Sequence, residues 1–244
     1  MYLKAIEIND LTVEYPEVKA LDKVSFSINQ GDFLGIIGPN GAGKSTLFSC
    51  MLGILTKYKG TIRFFGEDIR KSRNYLKLIG YVPQKPVFEN NFPATVKEIV
   101  RMQLTNNSDR QLIDKVLQQV WMHELGNRRI GDLSIGQQQR VFIAKALVHN
   151  PKILILDEPV TGVDIQSSEI FYSILRDLNE KQNITIIWSS HDMDAVHKLA
   201  NKVACLNRTL FFHGISAEFF ENEDLVKQYS EASMQQHMHS HEIH

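Results

Sequence analysis

The fold of this chain depends on the stretch Gly38-Pro39-Asn40-Gly41-Ala42-Gly43-Lys44-Ser45. It matches the phosphate-loop pattern G-x-x-x-x-G-K-[ST] at every fixed position. An apolar run at 33–37 before it is typical of a short buried strand, and residues 45–52 after it predict a helix. Glycines let the backbone wrap a phosphate with no Cβ in the way, and consecutive N–H groups at the helix start then face the anion. The alternative is a glycine-rich turn that binds nothing, which the lysine and serine of the pattern disfavour.

Two side chains of this loop are expected to act on the phosphates of a nucleotide and on its metal ion. Lys44 would reach the β- and γ-phosphates, and the Ser45 hydroxyl would take a Mg²⁺ position. The residues predicted to bind the nucleotide here are Gly38, Pro39, Asn40, Gly41, Ala42, Gly43, Lys44, Ser45 and Thr46.

The composition is that of an ordinary soluble globular protein. The chain has 244 residues, of which 43% are hydrophobic and 23% charged, and its net charge is −1. So small a net charge gives no electrostatic reason to expect nucleic acid or an anionic membrane as a partner. No apolar run approaches the roughly 20 residues that span a bilayer, and the first residues lack the apolar segment of a signal peptide. Any membrane role is therefore expected to come from a partner chain. Cys50 and Cys205 are far apart in the sequence and are expected to be buried, inert thiols.

The hydrophobic periodicity predicts a mixed α/β fold. Alternating apolar residues at 3–30 indicate antiparallel strands, and continuous apolar runs at 152–156 and 184–188 indicate strands buried in a parallel sheet. Further segments predict strands at 60–66 and 78–83 and helices at 96–103, 109–125 and 166–181. We therefore expect a single domain over 1–221 with a helical insertion at about 86–150, followed by a polar, loosely held tail at 222–244.

Two acidic residues, Asp157 and Glu158, follow the apolar run at 152–156. A carboxylate at the carboxyl end of a parallel strand lies beside the ligand crevice of an open α/β sheet. Asp157 suits Mg²⁺ through a water molecule, and Glu158 could polarise an attacking water. The alternative is a solvated acidic turn, which the phosphate loop upstream disfavours.

A series of short motifs stands in a fixed order around these residues. Leu133-Ser134-Ile135-Gly136-Gln137 resembles the LSGGQ signature of ATP-binding-cassette ATPases. The adenine-stacking aromatic, Q-loop glutamine, D-loop aspartate and switch histidine of that family are matched by Tyr15, Gln84, Asp164 and His191. The resemblance covers about residues 3–220. It implies an α/β fold: a P-loop NTPase core, in which a mixed sheet has flanking helices, with an antiparallel β subdomain and an inserted α-helical subdomain.

The resemblance also implies an ATPase that works as a head-to-tail homodimer. ATP with Mg²⁺ would lie between the phosphate loop of one subunit and Ser134, Gly136 and Gln137 of the other. The implied catalytic residues are Glu158, His191, Gln84 and Lys44, and the implied Mg²⁺ residues are Ser45, Gln84 and Asp157. Ile135 departs from the family pattern, which has glycine there. Because a β-branched side chain is stiffer and bulkier than glycine, Ile135 predicts slower or weaker closure of the dimer.

Single members of this series have simpler interpretations. Tyr15 could pack at a strand edge, Gln84 could be an ordinary turn residue, and His191 taken alone would more often be structural. Ser134 could also be the N-cap of a helix. The position of each residue in the ordered series is what favours the nucleotide site.

Smaller features resemble the zinc and manganese importer branch of the family. Residues 91–96, Asn-Phe-Pro-Ala-Thr-Val, resemble its FPxTV element, and 120–125, 161–164 and 206–208 are similar to other segments of that branch. The implied form is an ATP-hydrolysing subunit of a divalent-metal importer, zinc before manganese, held peripherally at the cytoplasmic face of the cell membrane. Its implied partners are an integral membrane permease and, indirectly, an extracytoplasmic metal-binding protein. The alternatives are import of manganese, iron or another solute, lipid export, a soluble machine acting on nucleic acid or ribosomes, and a metal-binding regulator with a degenerate ATP site.

The last eight residues, 237–244, contain four histidines, His237, His239, His241 and His244. Imidazole suits zinc, nickel and copper better than manganese, and short histidine-rich tracts can bind metal. We hypothesise that this tail senses or buffers zinc and restrains uptake when the metal is plentiful. The alternative is a disordered tail with adventitious affinity and no regulatory role.

Overall fold

The computed structural model describes residues 3–84, 88, 92–104 and 110–231. These residues form two compact units. The second unit comprises residues 77–184, and the first unit comprises the described residues before and after that range. Within the described ranges, no helix is both long and apolar enough to cross a bilayer.

Strands and helices succeed one another in a mixed order along the chain. The strands are β1 (Lys4–Glu14), β2 (Lys19–Asn29), β3 (Phe33–Ile37), β4 (Lys59–Phe64), β5 (Glu67–Asp68), β6 (Ile79–Val82), β7 (Ile153–Asp157), β8 (Thr185–Ser189), β9 (Lys202–Asn207) and β10 (Thr209–Ile215). The α-helices are α1 (Lys44–Met51), α2 (Val96–Arg101), α3 (Arg110–Gln119), α4 (Ile135–Leu147), α5 (Ile165–Gln182), α6 (Met193–Leu199) and α7 (Ser216–Phe220). Short 3₁₀ helices cover Asn74–Leu78, His123–Leu125 and Ile130–Asp132, and residues 223–231 are also helical.

The first unit contains an antiparallel sheet in the order β2-β1-β4-β5. The alternating apolar residues that the sequence showed at 3–30 lie on β1 and β2, which pair with each other. Ile8 lies opposite Phe26 and Leu11 lies opposite Val24, and these four side chains are buried. Leu11 follows Ile8 by three residues, whereas Val24 and Phe26 are two apart, so the register shift between these pairs keeps all four side chains in the core.

A second set of strands in the first unit has the order β10-β9-β3-β8. β3 is parallel to both β8 and β9, and all five of its residues are buried, as expected for a strand covered on both faces. Helix α6 covers β3 at Gly35, where a Cβ would lie 2.5 Å from Cγ1 of Val196. The absence of a side chain at Gly35 therefore allows α6 to approach the strand that leads into the phosphate loop.

The second unit combines a parallel pair, β6 and β7, with helices α2 to α5. Helix α4 lies close against β6, since a Cβ at Gly80 would be 2.8 Å from the carbonyl oxygen of Ala146. Helix α2 begins at a capping box, in which Thr95 Oγ1 accepts the Glu98 N–H and the Glu98 carboxylate accepts the Thr95 N–H. Such reciprocal bonds satisfy two N–H groups that a helix start would otherwise leave unpaired.

The observed elements confirm the predicted α/β class. The strands β9 and β10 and the helices α6 and α7 were not predicted from the sequence. The loosely held tail expected from about residue 222 is wrong for residues 223–231, which are helical. Tyr229 in this helix is buried, so an aromatic anchor holds a segment whose composition is otherwise polar.

Both cysteines are buried, as their spacing led us to expect. Burial raises the pKa of the Cys50 thiol to about 12, and it also raises the pKa of the Cys205 thiol. Because the thiolate is the reactive form, both thiols are inert near neutral pH.

Replacing Gly35 by alanine is expected to destabilise the protein, because the new Cβ would meet Val196 Cγ1 at 2.5 Å. We expect the free energy of unfolding to fall by about 1–3 kcal/mol, the usual cost of overpacking a buried site. The measurement is denaturant-induced unfolding of the full chain. In a Val196→Ala background the obstructing methyl is gone, so the same substitution should cost clearly less. An equal cost in both backgrounds would show that Val196 is not the obstacle.

Candidate nucleotide site

The phosphate loop joins β3 to α1, and close backbone contacts within the first unit hold it. A Cβ at Gly38 would collide with the carbonyl oxygen of Leu206. A Cβ at Gly43 would lie 2.6 Å from the carbonyl oxygen of Ala20, and Gly43 has a φ of +98°. Glycine is the residue that fits both the close approach and the positive φ. The strands on either side therefore fix the path of the loop.

The turn between β9 and β10 supports the loop from the side of the sheet. The Arg208 N–H donates to the Ala42 carbonyl at 2.8 Å, and the Arg208 carbonyl accepts the Asp22 N–H at 2.7 Å. Arg208 has a φ of 61°, which is uncommon for a residue other than glycine. Residues 206–208 stood out in the sequence only by a family resemblance, which did not predict this support. Backbone contacts between distant turns leave no signal in the residue pattern.

The Lys44 side chain is folded into the loop and is only 6% exposed. Its Nζ donates to the Gly38 carbonyl at 2.7 Å and to the Pro39 carbonyl at 3.2 Å. These carbonyls hold the ammonium against the loop. A fixed cation beside successive backbone N–H groups favours a bound anion such as phosphate.

The start of α1 suits an anion that arrives with a metal ion. Gly43 provides no side-chain cap, and the first turn of α1 contains no acidic residue. The positive end of the helix therefore meets no competing carboxylate from its own first turn. Ser45 is exposed and Thr46 half-buried, so the Ser45 hydroxyl is accessible for the predicted Mg²⁺ position.

Two more of the predicted residues, Tyr15 and His191, lie in the first unit. Tyr15 opens the turn between β1 and β2, exchanges backbone hydrogen bonds with Val18 at 2.8 and 3.3 Å, and is 46% exposed. His191 is exposed and follows β8, where the neighbouring Ser190 N–H donates to the Ile36 carbonyl of β3 at 3.2 Å. Because β3 and β8 are parallel neighbours, His191 and the phosphate loop both follow the carboxyl ends of adjacent strands.

In the second unit, β7 ends in the two predicted carboxylates. Asp157 is 5% exposed and Glu158 is 9% exposed. Gln84 Nε2 donates to Glu158 Oε2 at 2.7 Å. Glu158 has a φ of +45°, a strained conformation for a residue with a side chain, and such residues cluster at functional sites. The structure thus brings together Gln84 and Glu158, both predicted to be catalytic. Burial, and then the Asp157 charge, raise the pKa of the nearby Tyr81 phenol.

The signature motif forms the start of α4. Ser134 Oγ accepts the Gln137 N–H at 3.3 Å, and the Ser134 N–H donates to Gln137 Oε1 at 3.1 Å. The N-cap interpretation of Ser134 is therefore confirmed. Gly136 is buried, and a Cβ there would lie 2.6 Å from Cβ of Ser167 in α5. Glycine at this position lets the two helix starts meet, while Ile135 beside it is 44% exposed.

The D-loop aspartate caps α5 in the same way. Asp164 Oδ1 accepts the Ser167 N–H at 2.9 Å. This bond is the main cause that lowers the pKa of the Asp164 carboxyl. Asp164 therefore remains ionised and holds the loop that precedes α5 in place.

The histidines proposed to bind zinc, His237, His239, His241 and His244, lie outside the described residues. Among the residues that the structure does describe, no group of three or more histidine, cysteine, aspartate or glutamate side chains is placed to hold a metal ion.

Comparison with known proteins relates the chain to transport ATPases. The ABC transporter family model matches residues 21–161. The zinc uptake system ATP-binding protein ZurA of Listeria innocua is 43% identical over 226 residues, which cover 88% of each chain. The manganese transport system ATP-binding protein MntB of Halalkalibacterium halodurans is 36% identical, over 92% of this chain and 91% of its own.

A solved structure agrees with this relationship. The ADP conformation of an ATP-binding cassette of an ABC transporter superposes with a TM-score of 0.81 at 26% identity, covering 93% of this chain and 98% of that one. The resemblance drawn from the ordered motifs is thereby confirmed. The chain belongs to the ABC transporter family, in which it is an ATP-binding subunit that hydrolyses ATP.

Proposed function

We propose that this chain is the ATP-hydrolysing subunit of an importer for divalent metal ions, with zinc as the cargo. The proposal that the chain hydrolyses ATP at this site rests on one observation. Glu158 directly follows the buried strand β7, and its Oε2 accepts a hydrogen bond from Gln84 Nε2 at 2.7 Å. This hydrogen bond fixes the orientation of the carboxylate, and a neutral amide donor lowers the basicity of a carboxylate less than a cationic donor would. Orientation together with basicity is what a general base requires.

In the proposed reaction, the phosphate loop binds ATP and Glu158 activates a water molecule. Lys44 contacts the β- and γ-phosphates, and the N–H groups of the loop stabilise their charge. Glu158 accepts a proton from the water while the water oxygen attacks the γ-phosphorus. The bond from that phosphorus to the bridging oxygen then breaks, which leaves ADP and inorganic phosphate. His191 would hold the γ-phosphate and the water, and Tyr15 would stack on the adenine.

The residues that would hold Mg²⁺ are Ser45, Asp157 and Gln84. Their oxygens are hard donors of the kind that this cation prefers, and the Asp157 carboxylate ends a buried strand. Bound Mg²⁺ would neutralise negative charge on the phosphates.

The subunit is proposed to act as a head-to-tail homodimer on a permease. Ser134, Gly136 and Gln137 of one subunit would contact the ATP held by the other, a trans contact comparable to an arginine finger. An integral membrane permease would hold the dimer at the cytoplasmic face of the membrane, and the segment around Gln84 would pass the motion to it. An extracytoplasmic metal-binding protein would deliver the metal to the permease. Nucleic acid has no part in this proposal.

Zinc is favoured as the cargo by two observations. The zinc uptake relative is more similar to this chain than the manganese transport relative. The histidine-rich end of the sequence suits zinc better than manganese, and it would sense or buffer zinc. Manganese is the second candidate, because the manganese transport relative also matches over nearly the whole chain.

Replacing Glu158 by glutamine is expected to abolish ATP turnover and to trap an ATP-bound dimer. The amide can still accept the hydrogen bond from Gln84, but it cannot take a proton from water. Loss of a general base lowers turnover by about 100-fold or more. The measurements are phosphate release at saturating ATP and the molecular mass of the protein with ATP. Glu169→Gln makes the same change at an exposed position of α5 and should leave turnover unaltered. Turnover of Glu158→Gln near the wild-type rate would show that Glu158 is not the base.

Replacing Ile135 by glycine is expected to raise ATP turnover, because a smaller residue in the signature should ease closure of the dimer. The variant should also lose about 1 kcal/mol of stability, since glycine is unfavourable in a helix. Phosphate release and thermal unfolding are measured on the same preparation. Ile165→Gly changes the same residue type at the first position of α5 and controls for the loss of helix propensity. An unchanged rate in Ile135→Gly, or an equal rise in both variants, would contradict the role given to Ile135.

A further inference from the structure

Gln138 is a buried amide in the second unit that the catalytic assignment does not use. It lies in the first turns of α4, four residues after Ser134, and is 4% exposed. Its Nε2 donates to the carbonyls of Ile130 and Leu133, at 3.2 and 3.3 Å. Its Oε1 accepts the backbone N–H of Phe88 at 3.2 Å. Both ends of the amide are therefore bonded to backbone groups of two different segments.

The two segments that Gln138 joins both belong to the proposed machinery. Leu133 directly precedes Ser134, so the bonds from Nε2 fix the loop that leads into the signature. Phe88 follows Gln84 by four residues, so the bond to Oε1 fixes a backbone position close in sequence to the residue that holds Glu158. The Phe88 ring also stacks on Phe142 of α4, with ring centroids 5.5 Å apart and an angle of 15°.

We propose that Gln138 is a positioning residue for ATP hydrolysis, which holds the signature loop and the backbone of Phe88 in one arrangement. The inference rests on the proposed function, because it concerns the residues assigned to hydrolysis there. A buried amide with fixed donors and acceptors is suited to this task. A donor or acceptor left unsatisfied by its removal would be costly, so the bonded arrangement is strongly preferred.

The neighbouring residue supplies a matched comparison. Gln139 has the same chemistry, lies in the same helix and is 2% exposed. Among the described residues, Gln139 Oε1 has no hydrogen-bond partner. Any general effect of replacing a buried amide in α4 is therefore shared by the two residues, whereas the link to Phe88 belongs to Gln138.

The test compares Gln138→Met with Gln139→Met in the full chain. Phosphate release is measured over a range of ATP concentrations, and kcat is expressed per nucleotide-binding site, so that unfolded protein does not count. We expect kcat of Gln138→Met to fall about tenfold, because three hydrogen bonds of the arrangement are lost. KM for ATP should stay within about twofold of wild type, because the phosphate loop is untouched. Gln139→Met should retain its kcat.

A second variant keeps the test valid if Gln138→Met does not fold. Phe142→Leu removes the ring that stacks on Phe88 and leaves the hydrogen bonds of Gln138 in place. We expect a smaller fall in kcat, again without a change in KM. When both substitutions fold, the double variant should lose less than the product of the two single losses, because both act through Phe88.

The inference is overturned if kcat of Gln138→Met equals that of wild type, or if Gln139→Met loses as much. Where only Phe142→Leu can be measured, a wild-type kcat overturns it. Failure of the proposed function looks different. In that case the wild-type chain shows no ATP turnover, or it shows turnover that the Glu158→Gln variant retains.

Discussion

The proposed nucleotide site depends on one constraint, the close passage of the phosphate loop against the backbone of β2 and β9. Gly38 meets the Leu206 carbonyl and Gly43 meets the Ala20 carbonyl at distances that leave no room for a Cβ. Since the loop cannot move outward past these strands, the Lys44 ammonium is held against the carbonyls of its own loop. The cost of ordering this proposed anion site is met when the chain folds, so it does not reduce the affinity for a phosphate that binds there.

In the second unit, buried and hydrogen-bonded side chains hold the residue that we propose as the base. Glu158 is held by the amide of Gln84, and the loop before the signature is held by the amide of Gln138. An arginine in place of Gln84 would orient the carboxylate equally well but would lower its pKa and its basicity. The amide of Gln84 and the positive φ of Glu158 therefore give the proposed base a fixed geometry with a donor that carries no charge.

The sequence was sufficient to predict the fold class, the phosphate loop and the two carboxylates, because each leaves a local pattern. A buried strand followed by a glycine loop, or by Asp157-Glu158, can be recognised from the sequence without knowing which residues pack beside it. The support of the loop by Arg208 and the bridge made by Gln138 were not predictable. Each includes a contact between residues at least 50 positions apart in the chain, such as the bond from the Phe88 N–H to Gln138. Neither the hydrophobic periodicity nor the spacing of motifs in the sequence predicts such contacts.

The central claim is that ATP bound by this phosphate loop drives metal import, and the most direct test is the metal content of cells. Zinc and manganese are measured together in cells that lack the gene, with and without a copy encoding either the wild type or Lys44→Ala. A fall in manganese alone would keep the mechanism and overturn the cargo. The account predicts a selective fall in zinc that the wild-type copy restores and Lys44→Ala does not. Unchanged metal content on deletion, or full restoration by Lys44→Ala, would contradict it.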